Sequence, residues 1–279
     1  MIQSGLFDPI LALLFGLIIG SFLNVCIHRW PRGRSVVRPR SHCVRCRKFI
    51  PWYDNIPLFS YLALGGKCRF CGRRISLRYP LVELLTGLLF FFFVRTMGPT
   101  LLALKMCVFS AIVLALTFTD LEKRLLPDQL TLGGAAIGLA FAVFVPVPDI
   151  TAQAVLWLMG VNVSGRGKWI AEAAFGSLLP ALFLWLGGWI YEKLRHREGL
   201  GLGDVKLIVM VGAFLGLRNA LLALVLGSVA GSILGYGYIK ATGKDASTYP
   251  LPFGAFLGAA ALAAAVAGQR ILGWYSGMY

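Results

Sequence analysis

The sequence predicts an all-α polytopic membrane protein, with about eight transmembrane helices and one small cytoplasmic, zinc-ribbon-like loop domain. Three observations predict it. Of 279 residues, 58% are hydrophobic and only 14% charged, where an average soluble domain has about 25% charged. Mean hydropathy is +0.75, and apolar runs close to the ~20 residues of a spanning helix recur along the chain. The formal charge is nevertheless +15, of which +12 lies between residues 28 and 80, where thirteen Lys or Arg stand against one acid, Asp54. An ordinary cytosolic globule is excluded. A pI near 9.9 does not point to nucleic acid, because the basic excess sits in one loop and marks that loop as cytoplasmic.

The first apolar run, within residues 1–27, is a retained transmembrane helix. Residues 1–9 carry Asp8 and no base, and no small-residue cleavage site follows, so a cleaved signal peptide is not expected. Asp8 and Pro9 read as an N-cap and a first-turn proline. Residues 28–80 form the basic four-cysteine domain. Residues 81–279 form the transmembrane core, with apolar runs near 81–97, 100–119, 130–147, 169–191, 205–217, 219–239 and 251–271. With both termini outside, alternate loops place twenty-one Lys and Arg on the cytoplasmic side and five on the other, as the positive-inside rule requires. Residues 146–168 are the one long non-cytoplasmic connection, and their apolar segment at 156–161 is expected to lie along the interface. Cys26 and Cys107 sit in or at the ends of spans, where packing roles are expected.

In the basic loop, Cys43 and Cys46 form one C-x-x-C and Cys68 and Cys71 another, 21 residues apart. Two such pairs at this spacing read as a four-thiolate structural metal site, with zinc as the expected ion. A reducing cytosol disfavours disulfides; unpaired or redox cysteines are the alternative. A loop of about fifty residues with few aliphatics builds little core, so metal binding would supply folding energy. Such ribbons also occur in nucleic-acid binders, but here the arginines are expected to face cytosol and anionic lipid headgroups.

Ionisable groups in apolar spans are costly and need a reason. Asp120 ends the third span in LTFTDLEKRLLPD, and Asp204 opens the sixth in GLGLGDVK; the topology puts both at the cytoplasmic face. Two neighbouring carboxylates that share a proton serve as base toward a water and acid toward a carbonyl, the aspartic-protease arrangement. Gly201 and Gly203 would let an extended substrate backbone approach. The bland readings are capping of the sixth helix by Asp204 and a solvated helix end at Asp120. Asp128, after Pro127, reads as the N-cap of the fourth span or as a supporting residue. Glu83 suits a helix's first turn.

Five strings in order, GSFLNVCIHRWP (20–31), WYDNIPLFSYLAL (52–64) between the cysteine pairs, ISLRYPLVELLTG (75–87), FTDLEKRLLPD (118–128) and GLGLGDVKL (199–207), resemble the type IV prepilin leader peptidases, many of which are also N-methyltransferases. The resemblance covers nearly the whole chain. It implies that Asp120 and Asp204 are the catalytic pair, and that a basic leader is cut from a prepilin or pseudopilin, usually just after Gly, at the cytoplasmic face of the bacterial inner membrane. It further implies methylation of the new amine with S-adenosylmethionine. The chain departs from the family at Gly133 and Gly134, where many members have a proline, and at Cys26 and His28, which replace commoner Val and Tyr. Lys206 and the helix N-terminus favour Asp204 as the ionised member of the pair. No glycine-rich dinucleotide or methyltransferase fingerprint follows a strand, so any methyl-donor site belongs to the loop and the membrane face. Two rival classes remain at this stage: a proton-coupled transporter or channel whose acids relay protons, and a membrane-tethered ribbon serving as an assembly scaffold.

Overall fold

The computed structural model describes residues 5–147, 149–161, 163–196, 200–243, 251–275 and 277. Among them every predicted apolar run is a helix. The chain divides at Ala115 and Leu116 into two compact units.

The first unit is built on α1 (Phe7–Arg29) and α3 (Arg78–Met97), which pack along one another. Their contact uses small residues. A methyl group on Gly16 would lie 2.8 Å from the Cα of Gly87, and one on Gly20 would lie 2.6 Å from the Cα of Glu83. GLIIG at positions 16–20 is therefore a small-xxx-small seam, which lets backbones approach where lipid offers no hydrophobic drive to associate. α1 starts two residues earlier than Asp8 and Pro9 suggested. Leu6 occupies the cap position, and Asp8 lies in the first turn, where its charge suits the helix dipole. The loop domain hangs between α1 and α3 and contains the short helix α2 (Phe59–Ala63). Its two C-x-x-C knuckles repeat one pattern. The Cys43 N–H donates to the Lys48 carbonyl at 3.0 Å, and the Cys68 N–H donates to the Arg73 carbonyl at 2.9 Å. The residue after each second cysteine is left-handed, Arg47 at φ 59° and Gly72 at φ 65°.

The helix α4 (Leu101–Lys123) crosses the division between the units and carries Asp120 in its last turn. In the second unit, α5 (Asp128–Ala142), α7 (Arg166–Arg195), α8 (Leu202–Leu215), α9 (Leu217–Thr242) and α10 (Phe253–Tyr275) pack in pairs, with the short α6 (Thr151–Leu158) against α7. Glycines again mark the seams, Gly176 of α7 meeting Gly212 of α8 and Gly138 of α5 meeting Ala213 and Phe214 of α8. Among the described residues six helices, α1, α3, α4, α7, α9 and α10, are long and apolar enough to cross a membrane. α5 and α8, at 15 and 14 residues, rise only about 21–23 Å at 1.5 Å per residue, short of a ~30 Å hydrocarbon core. α5 ends at Ala142 rather than at 147, ahead of Pro146.

The long connection after α5 is more structured than its sequence suggested. Asp149, buried, accepts the N–H of Ile150 at 2.9 Å and, on its other oxygen, the N–H of Arg218 at 2.9 Å. It thereby satisfies orphan donors at the starts of both α6 and α9. Glu172 of α7 is fully buried and accepts the N–H groups of Ala152 and Gln153, each at 3.0 Å. Gly216 separates α8 from α9 with φ 81°, a conformation that a side chain would strain.

Candidate functional site

Asp120 and Asp204 come together in the second unit, against the start of α10. A methyl group built on Gly254 would lie 3.1 Å from Oδ2 of Asp120 and 3.0 Å from Oδ1 of Asp204. These two carboxylate oxygens therefore lie within about 6 Å of each other, and the two groups interact electrostatically. Asp120 is buried, and its Oδ2 accepts the N–H of Ala255 at 2.8 Å. The last turn of α4, the first turn of α8 and the first turn of α10 therefore converge on one point. Leu126 forms an apolar wall, its Cδ1 2.9 Å from the same methyl position.

The residues around the pair divide the work differently from the sequence reading. Gly201 is exposed, and a side chain there would touch Asp204 Oδ2 at 3.5 Å. Gly203 faces Leu126, with a methyl group meeting its Cβ and Cδ1 at 3.2 Å, so it is packed within the protein rather than open to an extended substrate. Asp204 does not cap α8; the cap position belongs to Gly201, and Asp204 lies in the first turn. Asp128 is the first residue of α5 rather than its cap, which is Pro127. Asp128 instead accepts Lys206 Nζ at 2.7 Å in a solvent-facing ion pair. Lys206 is accordingly engaged by Asp128, while Asp204 keeps its place in the first turn of α8.

Glu83 belongs to the first unit. α3 begins at Arg78, which places Glu83 in the second turn, and Pro80 fits within the first. The carboxylate is buried and accepts the N–H of Leu58 at 2.9 Å. Leu58 itself is held at φ 59°.

The four cysteines of the loop converge as their spacing predicts. Their Sγ atoms all lie within 4.8 Å of one another, with Cys43 and Cys71 at 4.0 Å, and all are free thiols. The set could hold a metal ion. Backbone N–H groups of Cys71 and Phe70 bring the Cys68 thiol down to about 7, while the neighbouring thiols push Cys71 up to about 11, so within the cluster Cys68 is the thiol that ionises first. Asp54, the one acid of the loop, takes a two-pronged ion pair from Arg69 at 2.7 and 2.6 Å. That pair ties the turn at 52–55 to the second knuckle and holds the Asp54 carboxyl below its usual range.

Comparison with known proteins decides the family. Residues 14–97 match the family model described as the bacterial peptidase A24 N-terminal domain, and residues 107–236 match the type IV leader peptidase family. A Myxococcus xanthus protein named prepilin leader peptidase/N-methyltransferase is 42% identical over 86% of this chain and 67% of its own. Proteins of the same name from Aeromonas salmonicida, at 37% identity over 95% of this chain and 92% of its own, and from Pseudomonas aeruginosa, at 34% over 94% and 91%, are similar throughout. The chain belongs to the type IV leader peptidase family. No solved structure matches it.

As a leader peptidase family member with six helices of spanning length, the chain is a multi-pass inner-membrane protein. The cysteine loop falls in the first matched region and both aspartates in the second, while Gly254 and Ala255 lie beyond it. Sequence reasoning missed these two residues. PLPFG at 250–254 reads as a proline-marked helix start, and nothing local in it announces a carboxylate 135 positions earlier.

Proposed function

We propose that the protein cleaves the basic leader from type IV prepilins or pseudopilins and then methylates the exposed amine. The observation that carries the peptidase reading is the meeting of Asp120 and Asp204 at Gly254. Two carboxylates so close do not both ionise cheaply and share a proton. The ionised member draws a proton from the attacking water while the protonated member hydrogen-bonds the scissile carbonyl. The pair titrates as a unit, and the proton returns to it as the amine leaves. The Ala255 N–H fixes one oxygen of Asp120, so the pair is held in register before substrate arrives. Asp128 and Lys206 brace the adjoining helix starts.

Both termini are placed outside and the loop inside by the distribution of Lys and Arg, so the pair works at the cytoplasmic face. The loop metal is assigned as zinc. Four thiolates about 2.3 Å from a common zinc ion lie about 3.8 Å apart, which the cysteine cluster accommodates. Its role is structural, since four protein ligands leave no open position. S-adenosylmethionine supplies a methyl carbon on a sulfonium sulfur: the neutral amine forms the N–C bond, the S–C bond breaks with its electrons on sulfur, and the amine's surplus proton passes to water. The test is incubation of the purified protein with a prepilin, reading the cut position and the product mass with and without S-adenosylmethionine. A single cut after Gly and one added methyl are expected; an uncut prepilin overturns the reading.

A further inference from the structure

Asp204 turns its two oxygens to different surroundings. Its Oδ2 lies 3.5 Å from a methyl group built on Gly201, which is exposed, so the pair opens to solvent past that glycine. Its Oδ1 faces Gly254, in the same small space as Asp120 Oδ2 and Leu126 Cδ1; all three atoms lie within 3.1 Å of one methyl position. Leu126 Cδ1 is therefore within about 6 Å of an oxygen of each carboxylate. A leucine supplies no proton and no charge, so at this place it acts through its size.

The local structure holds this leucine in position. Leu126 sits in the short connection from α4 to α5, where the Arg124 N–H donates to the Asp120 carbonyl at 2.8 Å and Pro127 caps the next helix. The residue before a proline is confined to extended backbone, so Leu126 has little freedom to withdraw. Behind it stands Gly203 of α8. A methyl group there would meet Leu126 Cβ and Cδ1 at 3.2 Å, so the side chain is backed close against that helix while its tip reaches the carboxylates. Rotation can swing Cδ1; the Cβ stays. On the proposed topology the connection lies on the cytosolic side of Asp120, where the leader runs, and the apolar part of the prepilin leaves the pair in the other direction, into the bilayer.

We propose that Leu126 is the size filter of the peptidase: it touches the last residue of the leader and selects glycine there, because a side chain at that position must displace Leu126 from the pair. The inference rests on the peptidase reading and adds the group that chooses the residue before the cut. The scissile carbonyl must come within hydrogen-bond reach of the pair, and the Cα before it is one bond, about 1.5 Å, further on. With Leu126 Cδ1 within about 6 Å of both carboxylates, a hydrogen on that Cα fits, and each added methyl pushes Cδ1 aside. One methyl group is worth about 10–200-fold in an apolar pocket. The selection is accordingly graded: glycine first, alanine next, valine last.

The test is the initial rate at which the full-length protein in detergent cleaves three prepilins carrying Gly, Ala or Val before the cut. The parent should favour Gly over Ala by about 10–200-fold in kcat/KM. Leu126→Ala should lower that preference at least ten-fold and raise kcat/KM for the Ala prepilin above the parental value. Leu126→Val, a milder change, should move both in the same direction by less. The preference compares two substrates on one protein, so a loss of folded material cancels from it, and thermal unfolding in the same detergent shows that each variant is folded. A parental preference in both variants, or equal cleavage of all three prepilins by the parent, overturns the filter and leaves the aspartate pair standing. Loss of cleavage of every prepilin by the folded variants overturns it as well, since a wider seat still admits glycine. A parent that cuts none of the three refutes the peptidase reading and the filter with it.

Discussion

Replacing Gly254 by alanine places a methyl group where the two carboxylates meet. The new carbon would sit 2.9 Å from Leu126 Cδ1, 3.0 Å from Asp204 Oδ1 and 3.1 Å from Asp120 Oδ2. Leu126 is the end of a flexible chain and can rotate away. The oxygens cannot yield so freely, because Asp120 Oδ2 is fixed by the Ala255 N–H at 2.8 Å. Each carboxylate must move by a few tenths of an ångström to restore ordinary contact. A misplacement of about 1 Å costs on the order of 100-fold in rate, so a fraction of that predicts about a ten-fold fall in kcat, or about 1.4 kcal/mol of barrier. Overpacking adds about 1–3 kcal/mol of destabilisation. The assay is the initial rate of prepilin cleavage by purified protein, with thermal unfolding in the same detergent. Gly133→Ala is the control, since a methyl there meets nothing within 4 Å, and it should cleave like the parent. A folded Gly254→Ala protein that cleaves at the parental rate would refute the placement of the pair at this glycine.

Two further perturbations test other parts of the account. Glu172→Ala strips the buried acceptor from the N–H groups of Ala152 and Gln153 and should destabilise by about 2 kcal/mol or more at 1–3 kcal/mol per orphaned group, read as a lowered unfolding temperature; an unchanged temperature contradicts the capping role. Cys43→Ser with Cys68→Ser should remove the one metal ion per chain measured by elemental mass spectrometry, and should make the segment 41–76 the first site of limited proteolysis. Full metal content in the double variant would remove these thiols from the ligand set.

The sequence made the eight apolar segments and both cysteine knuckles legible because each is a local pattern: a hydrophobic run, or two ligands on one tight turn. The approach of Asp120 to Asp204 was legible through topology, since charge counting put both at one face. What escaped the reading depends on distant backbone. Gly254 and Ala255 act on a carboxylate contributed by a helix far away in the chain, and Asp149 and Glu172 look like stray acids until the helix starts they satisfy are known. The connection at 146–168 had no assigned role for the same reason. Lys206 and Asp128 were each read beside their own helix start, and their pairing crosses between α5 and α8. Glu83 was read as a dipole partner from its closeness to Pro80, whereas its carboxylate is used by the loop backbone at Leu58. The GLIIG seam of α1 was visible as a spacing of small residues and passed unread, since a spanning helix is apolar on every face. The transporter reading explained the acids one at a time; a pair meeting at a single glycine, in a chain of the leader peptidase family, leaves it without a feature of its own.

The central claim is that Asp120 and Asp204 act as one catalytic pair. The most direct measurement is prepilin cleavage by Asp120→Asn and by Asp204→Asn, each purified, inserted in membranes and shown to retain its metal. The account expects no cleavage from either protein, and no more from the double variant than from the singles, because the residues work as a unit. Cleavage at or near the parental rate by either folded single variant would contradict it.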